Sequence, residues 1–324
     1  MLELVRVARE PLSFSESLHE DVTRAAEHAK NARAPRTRHE YARAWERFTS
    51  YAHDHDESAL PASPLVVAAY LAHLDVEGLG PSSIDVALAA IADRHKARRL
   101  PLPSNDPLVR DVRAGIRARR GTCPRTKAAL GPFELQEICS ALPPDIGGTR
   151  DRALFLVGFG AALRRSELVA LRVQDVAWHA RGIVVHVARS KTDQHGAGVG
   201  VPIHAAPGPL CPVAALRAWL DASNIESGPI FRSVSKWGRV GSEALTARHV
   251  AERLKRAARR VGLDPREIAG HSLRSGFATT AANVGANLPE IGRITRHASE
   301  GQLRKYIRAG TMFERDPLRG ILCR

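Results

Sequence analysis

A single β-branched run interrupts a chain otherwise patterned for helices. Ile183-Val184-Val185-His186-Val187-Ala188-Arg189 has strand character and is bounded by Gly182 and a polar turn. Val199-Gly200-Val201-Pro202-Ile203 follows across a Gly-rich connection, so the pair predicts one short antiparallel sheet. Elsewhere the signals are helix starts. Thr37-Arg38-His39-Glu40 is a capping-box pattern ahead of Tyr41, Trp45, Phe48 and Ala52 at helical spacing. Ser63-Pro64, Gly80-Pro81 and Asp106-Pro107 each set a cap before proline at the first helical position. A further helix is expected within 15–31.

The helical first third forms one domain over residues 1–120. Gly121-Thr122-Cys123-Pro124-Arg125-Thr126-Lys127 carries the breakers of a linker, placed at 121–129. The second domain, 130–324, opens with apolar helices at 133–142 and 150–162. After the sheet, helices return at 212–221, at 246–261 and three times more. The expected fold is therefore mainly α in two domains: a helical bundle, then an α+β domain with a small antiparallel sheet.

Charge separates the two parts. The chain carries a formal net charge of +14. Residues 1–120 hold 18 Lys and Arg against 17 Asp and Glu, and residues 121–324 hold 30 against 17. A second part this basic, and mostly arginine, is drawn to a polyanion; an arginine-rich composition bias is the alternative. No apolar run is long enough to cross a bilayer, the start lacks signal-peptide character, and four scattered cysteines show neither zinc nor disulfide spacing. The expectation is a cytoplasmic protein with no membrane, metal or cofactor requirement.

Within the first domain, Arg110, Arg113, Arg117 and Arg120 recur at three- and four-residue steps and form one stripe on the Asp106 helix. With Arg125 and Lys127 they are candidate DNA contacts, against the alternative of a solvated charged face.

Chemistry concentrates later in the chain. About two His-x-x-Arg pairs are expected by chance in a chain of this composition, and three occur, at His95, His186 and His271. Only His271 and Arg274 lie where a turn glycine, Gly270, precedes a helix start, which favours an anion. Arg164 stands between an apolar helix and the next, with Glu167 three residues on to orient cationic groups. Lys191 is on the turn after the best strand, a flexible candidate proton donor. Pro289 opens a short helix that His297 closes, and Tyr306, two turns into the last helix, is nine residues further on. A phenol in the company of arginines, histidines and a lysine suggests phosphodiester chemistry through a covalent tyrosyl intermediate. The ordinary alternatives are a core tyrosine, a capping histidine and surface ion pairs.

The order Arg164, Lys191, His271-x-x-Arg274, His297, Tyr306 resembles the tyrosine recombinase (phage integrase-type) family across nearly the whole second domain. Ala162-Leu163-Arg164-Arg165-Ser166-Glu167-Leu168 is similar to that family's first arginine motif, and Gly270-His271-Ser272-Leu273-Arg274 to its second. Arg296 precedes His297 where the family commonly has glycine, a departure expected to affect loop shape rather than chemistry. The resemblance implies a SAM-like core-binding domain in the first third and a catalytic domain with Tyr306 as nucleophile; residues 1–34 match no part of the family pattern and are a candidate arm. It implies a 3′-phosphotyrosyl link made without metal or ATP. The implied partners are double-stranded DNA at specific recombination sites, a homo-tetramer assembled on DNA from free monomers, and an accessory directionality factor. The expected location is the cytoplasm, associated with the nucleoid. Met312, Phe313, Leu318, Ile321 and Leu322 supply an apolar tail that docks on a neighbouring protomer or on its own subunit. Two alternatives remain: a type IB topoisomerase-like relaxing activity, and a non-catalytic DNA-binding regulator on the same fold.

Overall fold

The computed structural model describes residues 16–31, 34–121, 127–187 and 198–296, together with 301 and 304. It divides into two compact units, Met1–Pro124 and Arg125–Arg324.

The first unit contains helices α1 (Glu16–Asn31), α2 (Pro35–His53), α3 (Pro64–Val76), α4 (Pro81–Ala97) and α5 (Pro107–Arg120). The expected starts hold at α3 and α5, where Ser63 and Asp106 accept from Leu65 N and Leu108 N. The start of α2 is corrected. It begins at Pro35, with Ala34 as the capping residue and no side-chain cap, so Thr37 lies inside the first turn. Proline at the first helical position needs no hydrogen-bond partner and pre-sets the backbone angle, which here takes precedence over the Thr37–Glu40 pattern.

Phe48, Tyr70, Leu71, Leu74, Ile84, Ile91, Val109 and Ile116 form the core of this unit, with the Phe48 and Tyr70 rings 5.1 Å apart. His95 is buried among them. Its Nε2 accepts from Ala62 N at 2.9 Å and its Nδ1 lies 2.8 Å from Ile91 O, so Nδ1 carries the proton. The first of the three His-x-x-Arg pairs is thereby a fastener of the loop before α3.

The second unit contains α6 (Pro132–Ser140), α7 (Ile146–Gly160), α8 (Arg165–Ala170), β1 (Val176–His179), β2 (Gly182–Val187), β3 (Val199–His204), α9 (Pro212–Ser223), β4 (Arg232–Val234), β5 (Val240–Ala244), α10 (Ala247–Arg260), α11 (Ser272–Asn283) and α12 (Leu288–Thr295). Helix α7 is buried nearly all round, through Ala153, Leu154, Phe155, Leu156 and Val157. Of α6, by contrast, only the Leu135, Ile138 and Cys139 face is buried, while Phe133 is 71% exposed.

The expected hairpin forms with Ile183 opposite Ile203 and Val185 opposite Val201, which puts four β-branched side chains on one buried face. Two features were not foreseen. A third strand, β1, pairs with β2 in an antiparallel order β1-β2-β3, and β4 and β5 form a separate antiparallel pair. Both are too short, or too polar, to show a period of two. The last of the three helices expected after α10 falls outside the described residues except at Gly301 and Arg304, which are helical. Among the described residues no helix is long and apolar enough to cross a membrane.

Candidate active site

Helix α7 ends at Gly160, and the chain turns through Ala161, Ala162 and Leu163 into α8. Ala162 adopts a left-handed backbone, φ +47°, in this turn. Arg164 is the capping residue of α8. Its backbone N donates to Glu167 Oε2 at 2.8 Å and its Nη1 to Glu167 Oε1 at 2.6 Å. The Glu167 side chain is only 2% exposed, against 19% for Arg164. Burial alone would raise the Glu167 pKa. The Arg164 amide and guanidinium bonds, and then the Arg296 charge, outweigh it and hold the carboxyl below the usual carboxylate range. Glu167 is thus a fixed anion, and Arg164 is oriented before any ligand arrives.

Arg274 reaches the same turn from α11. Its side chain is fully buried, and its Nη1 donates to Ala162 O at 2.8 Å. His271 caps α11 and its side chain is exposed. The protein packed beneath the ring removes part of its hydration, and the Arg274, Arg164 and Arg165 charges add to that; its pKa is held below the ordinary histidine value. The imidazole is therefore neutral at neutral pH and able to accept a proton. Gly270 leaves room for the Arg165 side chain, which would have to shift to admit a Cβ there. His271 and Arg274 thus differ in exposure, the first exposed and the second buried.

Arg296 ends α12 with a left-handed backbone, φ +53°, which is unfavourable for a residue with a Cβ by about 1 kcal/mol or more. Its buried guanidinium donates from Nη2 to Glu167 Oε2 at 2.8 Å and from Nη1 to Ile294 O at 2.7 Å and Ala161 O at 3.2 Å. Its own carbonyl accepts from Arg164 Nη2 at 3.2 Å. The expectation that Arg296 affects loop shape alone is corrected. Both ends of the residue touch the Arg164–Glu167 pair. Sequence spacing carries no sign of this, since 129 residues separate Arg296 from Glu167. Helix α12 also ends at Thr295, before His297, and is opened by the reciprocal Asn287–Glu290 caps rather than by Pro289 alone.

Lys191, His297 and Tyr306, and Arg125 in the linker, lie outside the described residues. Lys127 donates from Nζ to Arg266 O at 2.5 Å. In the first unit the arginine stripe is anchored to acids. Arg113 Nε and Arg117 Nη2 both bond Asp85, at 2.7 and 2.5 Å, and hold its carboxyl below the usual range although burial works the other way. Arg120 and Arg119 pair with the buried Asp75, and Arg110 is exposed. A cavity of about 420 Å³ lies at the opposite end of α7, beside the Arg150–Asp151–Arg253 ion pairs, and takes in none of the candidate site residues. Among the described residues the candidate site is a cationic cluster, with His271 exposed, Arg164 partly exposed and Arg274 buried. Among the described residues no cluster of three His, Cys, Asp or Glu side chains is arranged to hold a metal ion.

A family profile described as the phage integrase family matches residues 129–311. The chain is 33% identical over 300 residues to an integrase/recombinase XerD homolog of Selenomonas ruminantium, covering 91% of this chain and 88% of the relative. It is 24% identical to the recombinase Cre of Escherichia phage P1 over 76% of each chain. Among solved structures, a lambda integrase dimer bound to a COC′ core site superposes with a TM-score of 0.63 at 18% identity, over 89% of this chain and 94% of that one. A XerH recombinase post-cleavage complex on its difH substrate gives 0.57 at 16% identity, over 80% and 71%. At these identities the two structures establish likeness of fold.

Proposed function

The chain belongs to the phage integrase family of tyrosine recombinases, and from that premise we propose that it cuts and rejoins double-stranded DNA at specific sites through a phosphotyrosyl intermediate on Tyr306. The observation that carries this reading is the convergence of Arg164 and Arg274 on the Ala162–Glu167 turn, with a proton-accepting His271 beside them.

In this reading the Tyr306 oxygen attacks the scissile phosphorus and forms the 3′-phosphotyrosyl bond as the bond to the 5′ oxygen breaks. His271 takes the phenol proton. Negative charge grows on the non-bridging oxygens, where Arg164 and Arg274 clamp them and His297 adds a hydrogen bond. Lys191 protonates the departing 5′ oxygen. A partner strand's 5′-hydroxyl then reverses these steps. One phosphodiester replaces another, so no ATP is consumed, and the phosphorus is activated by cationic side chains rather than by a metal.

The same reading makes the first unit a DNA-binding domain, with Arg110, Arg113, Arg117 and Arg120 as its backbone contacts and Arg125 and Lys127 as contacts from the linker. It also assigns a homo-tetramer on paired sites, an accessory factor that sets direction, and a nucleoid location. Lambda integrase and XerH, both solved on DNA, are consistent with a DNA partner for this chain.

The test is covalent trapping. Duplexes nicked near the cleavage point are selected from a randomised pool by denaturation-resistant retention on the full-length chain. Wild type should yield an adduct on Tyr306, and Tyr306→Phe should bind the selected duplex without one. An adduct formed by Tyr306→Phe removes that residue from the role. Failure of the wild type to retain any duplex overturns the reading.

A further inference from the structure

Arg164 and Glu167 taken alone form a neutral pair. The carboxylate accepts from the Arg164 amide and from Nη1, so a phosphate arriving at Arg164 would meet a guanidinium already matched by an anion. Arg296 changes that balance. Its Nη2 contributes a second cation to the same carboxylate, at a side chain only 6% exposed. The three-residue group therefore holds a net positive charge, and the most exposed cation in it is Arg164, the one the proposed reaction needs. The Arg296 carbonyl receives Arg164 Nη2, so the same residue also fixes the direction of the fork. A residue serving only to end α12 would need neither contact. The left-handed backbone is easier for glycine, and the bonds to Ile294, Ala161 and Ala162 would already anchor the turn.

We propose that Arg296 is a positioning residue of the strand-cleavage site: it neutralises Glu167 and orients Arg164, leaving the Arg164 charge for the scissile phosphate. This rests on the function proposed above. The charged groups around Glu167 are Arg164 on its own turn and Arg296 from the end of α12. From α11, Arg274 approaches through Ala162, and His271 feels the Arg164 charge.

The experiment compares wild type, Arg296→Gln, Arg296→Lys, Glu167→Gln and the Glu167→Gln/Arg296→Gln double variant, all as the full chain. Single-turnover adduct formation and DNA affinity are measured on the selected nicked duplexes, and thermal stability is followed against pH without DNA. Arg296→Gln should slow adduct formation at least tenfold while affinity changes less than threefold, and Arg296→Lys should fall between it and wild type. The double variant should be faster than Arg296→Gln, because removing the uncompensated carboxylate restores the charge at Arg164. A purely structural role predicts the opposite, with two lesions worse than one.

Without DNA, the wild-type stability that depends on Glu167 is lost only as pH falls through its depressed folded pKa. In Arg296→Gln that acid limb should move to higher pH, and in the double variant the shift should vanish. An unmoved acid limb, a double variant slower than Arg296→Gln, or an Arg296→Gln chain that cleaves like wild type overturns the proposal. Absence of adduct from wild type itself overturns the recombinase reading instead, and the acid limb still reports on Arg296.

Discussion

Arg274 gives its Nη1 proton to the carbonyl of Ala162 at 2.8 Å, although 112 residues separate them in the chain. Ala162 holds the left-handed backbone, and Arg164 is two residues on, so one turn organises both arginines. A lysine at 274 would keep the charge and lose the planar fork. Arg274→Lys should lower adduct formation by about 10²–10³, the cost typical of removing a preorganised donor to a developing anion. Tight binding of the nicked duplex should persist. Single-turnover gels and a binding isotherm read the two quantities separately.

The depressed pKa of His271 fixes the sign of a pH effect. Only the neutral imidazole accepts the phenol proton, so adduct formation should rise with pH through a midpoint below the ordinary histidine range and then level off. His271→Gln should remove that limb. The pH–rate profile of both proteins, taken on one duplex, checks it.

Asp85 pairs with both Arg113 and Arg117 in the free protein and cancels one of their two charges. If these arginines bind DNA, Asp85→Asn should tighten binding at low salt, and Arg113→Ala with Arg117→Ala should reduce the salt slope by up to about 1.8, or 0.9 per phosphate contact. The pairs are partly exposed, so Asp85→Asn should change stability by no more than about 1 kcal/mol. A salt slope identical in all three proteins would leave the stripe as a solvated, internally paired face.

Gly276 packs directly on the backbone of Leu130, which is held in place by its N donating to Ser272 O at 3.1 Å. A Cβ at 276 would overlap the Leu130 carbonyl. Gly276→Ala should therefore cost about 1–3 kcal/mol, as overpacking does. The loss is read from denaturant midpoints.

Cys139 is 3% exposed, and burial pushes its thiol up to about 11. It should resist alkylation at neutral pH in the folded chain and react fully in denaturant. Mass spectrometry of pulse-labelled protein distinguishes the two.

Much of the fold was legible because its signals are local. Ser63-Pro64, Gly80-Pro81 and Asp106-Pro107 cap their helices as read, and Ile183–Val187 pairs with Val199–Ile203 in the expected hairpin. A proline ring or a capping oxygen acts within three residues, so short sequence suffices. Strands β1 and β4–β5 escaped because three to five residues cannot display alternation, and only pairing with the neighbouring strand makes them strands.

By itself, the sequence determined which residue types the site contains and in what order, since a motif such as Gly270-His271-Ser272-Leu273-Arg274 is read along one helix start. Only the tertiary structure decided their electrical state. Glu167 takes its second cation from Arg296, His271 loses affinity for its proton through partial burial and then the nearby Arg274 and Arg164, and Arg113, Arg117 and Arg120 are paired with Asp85 and Asp75. The reason is physical. Charges interact through space and burial, over distances that folding sets without regard to their separation along the chain.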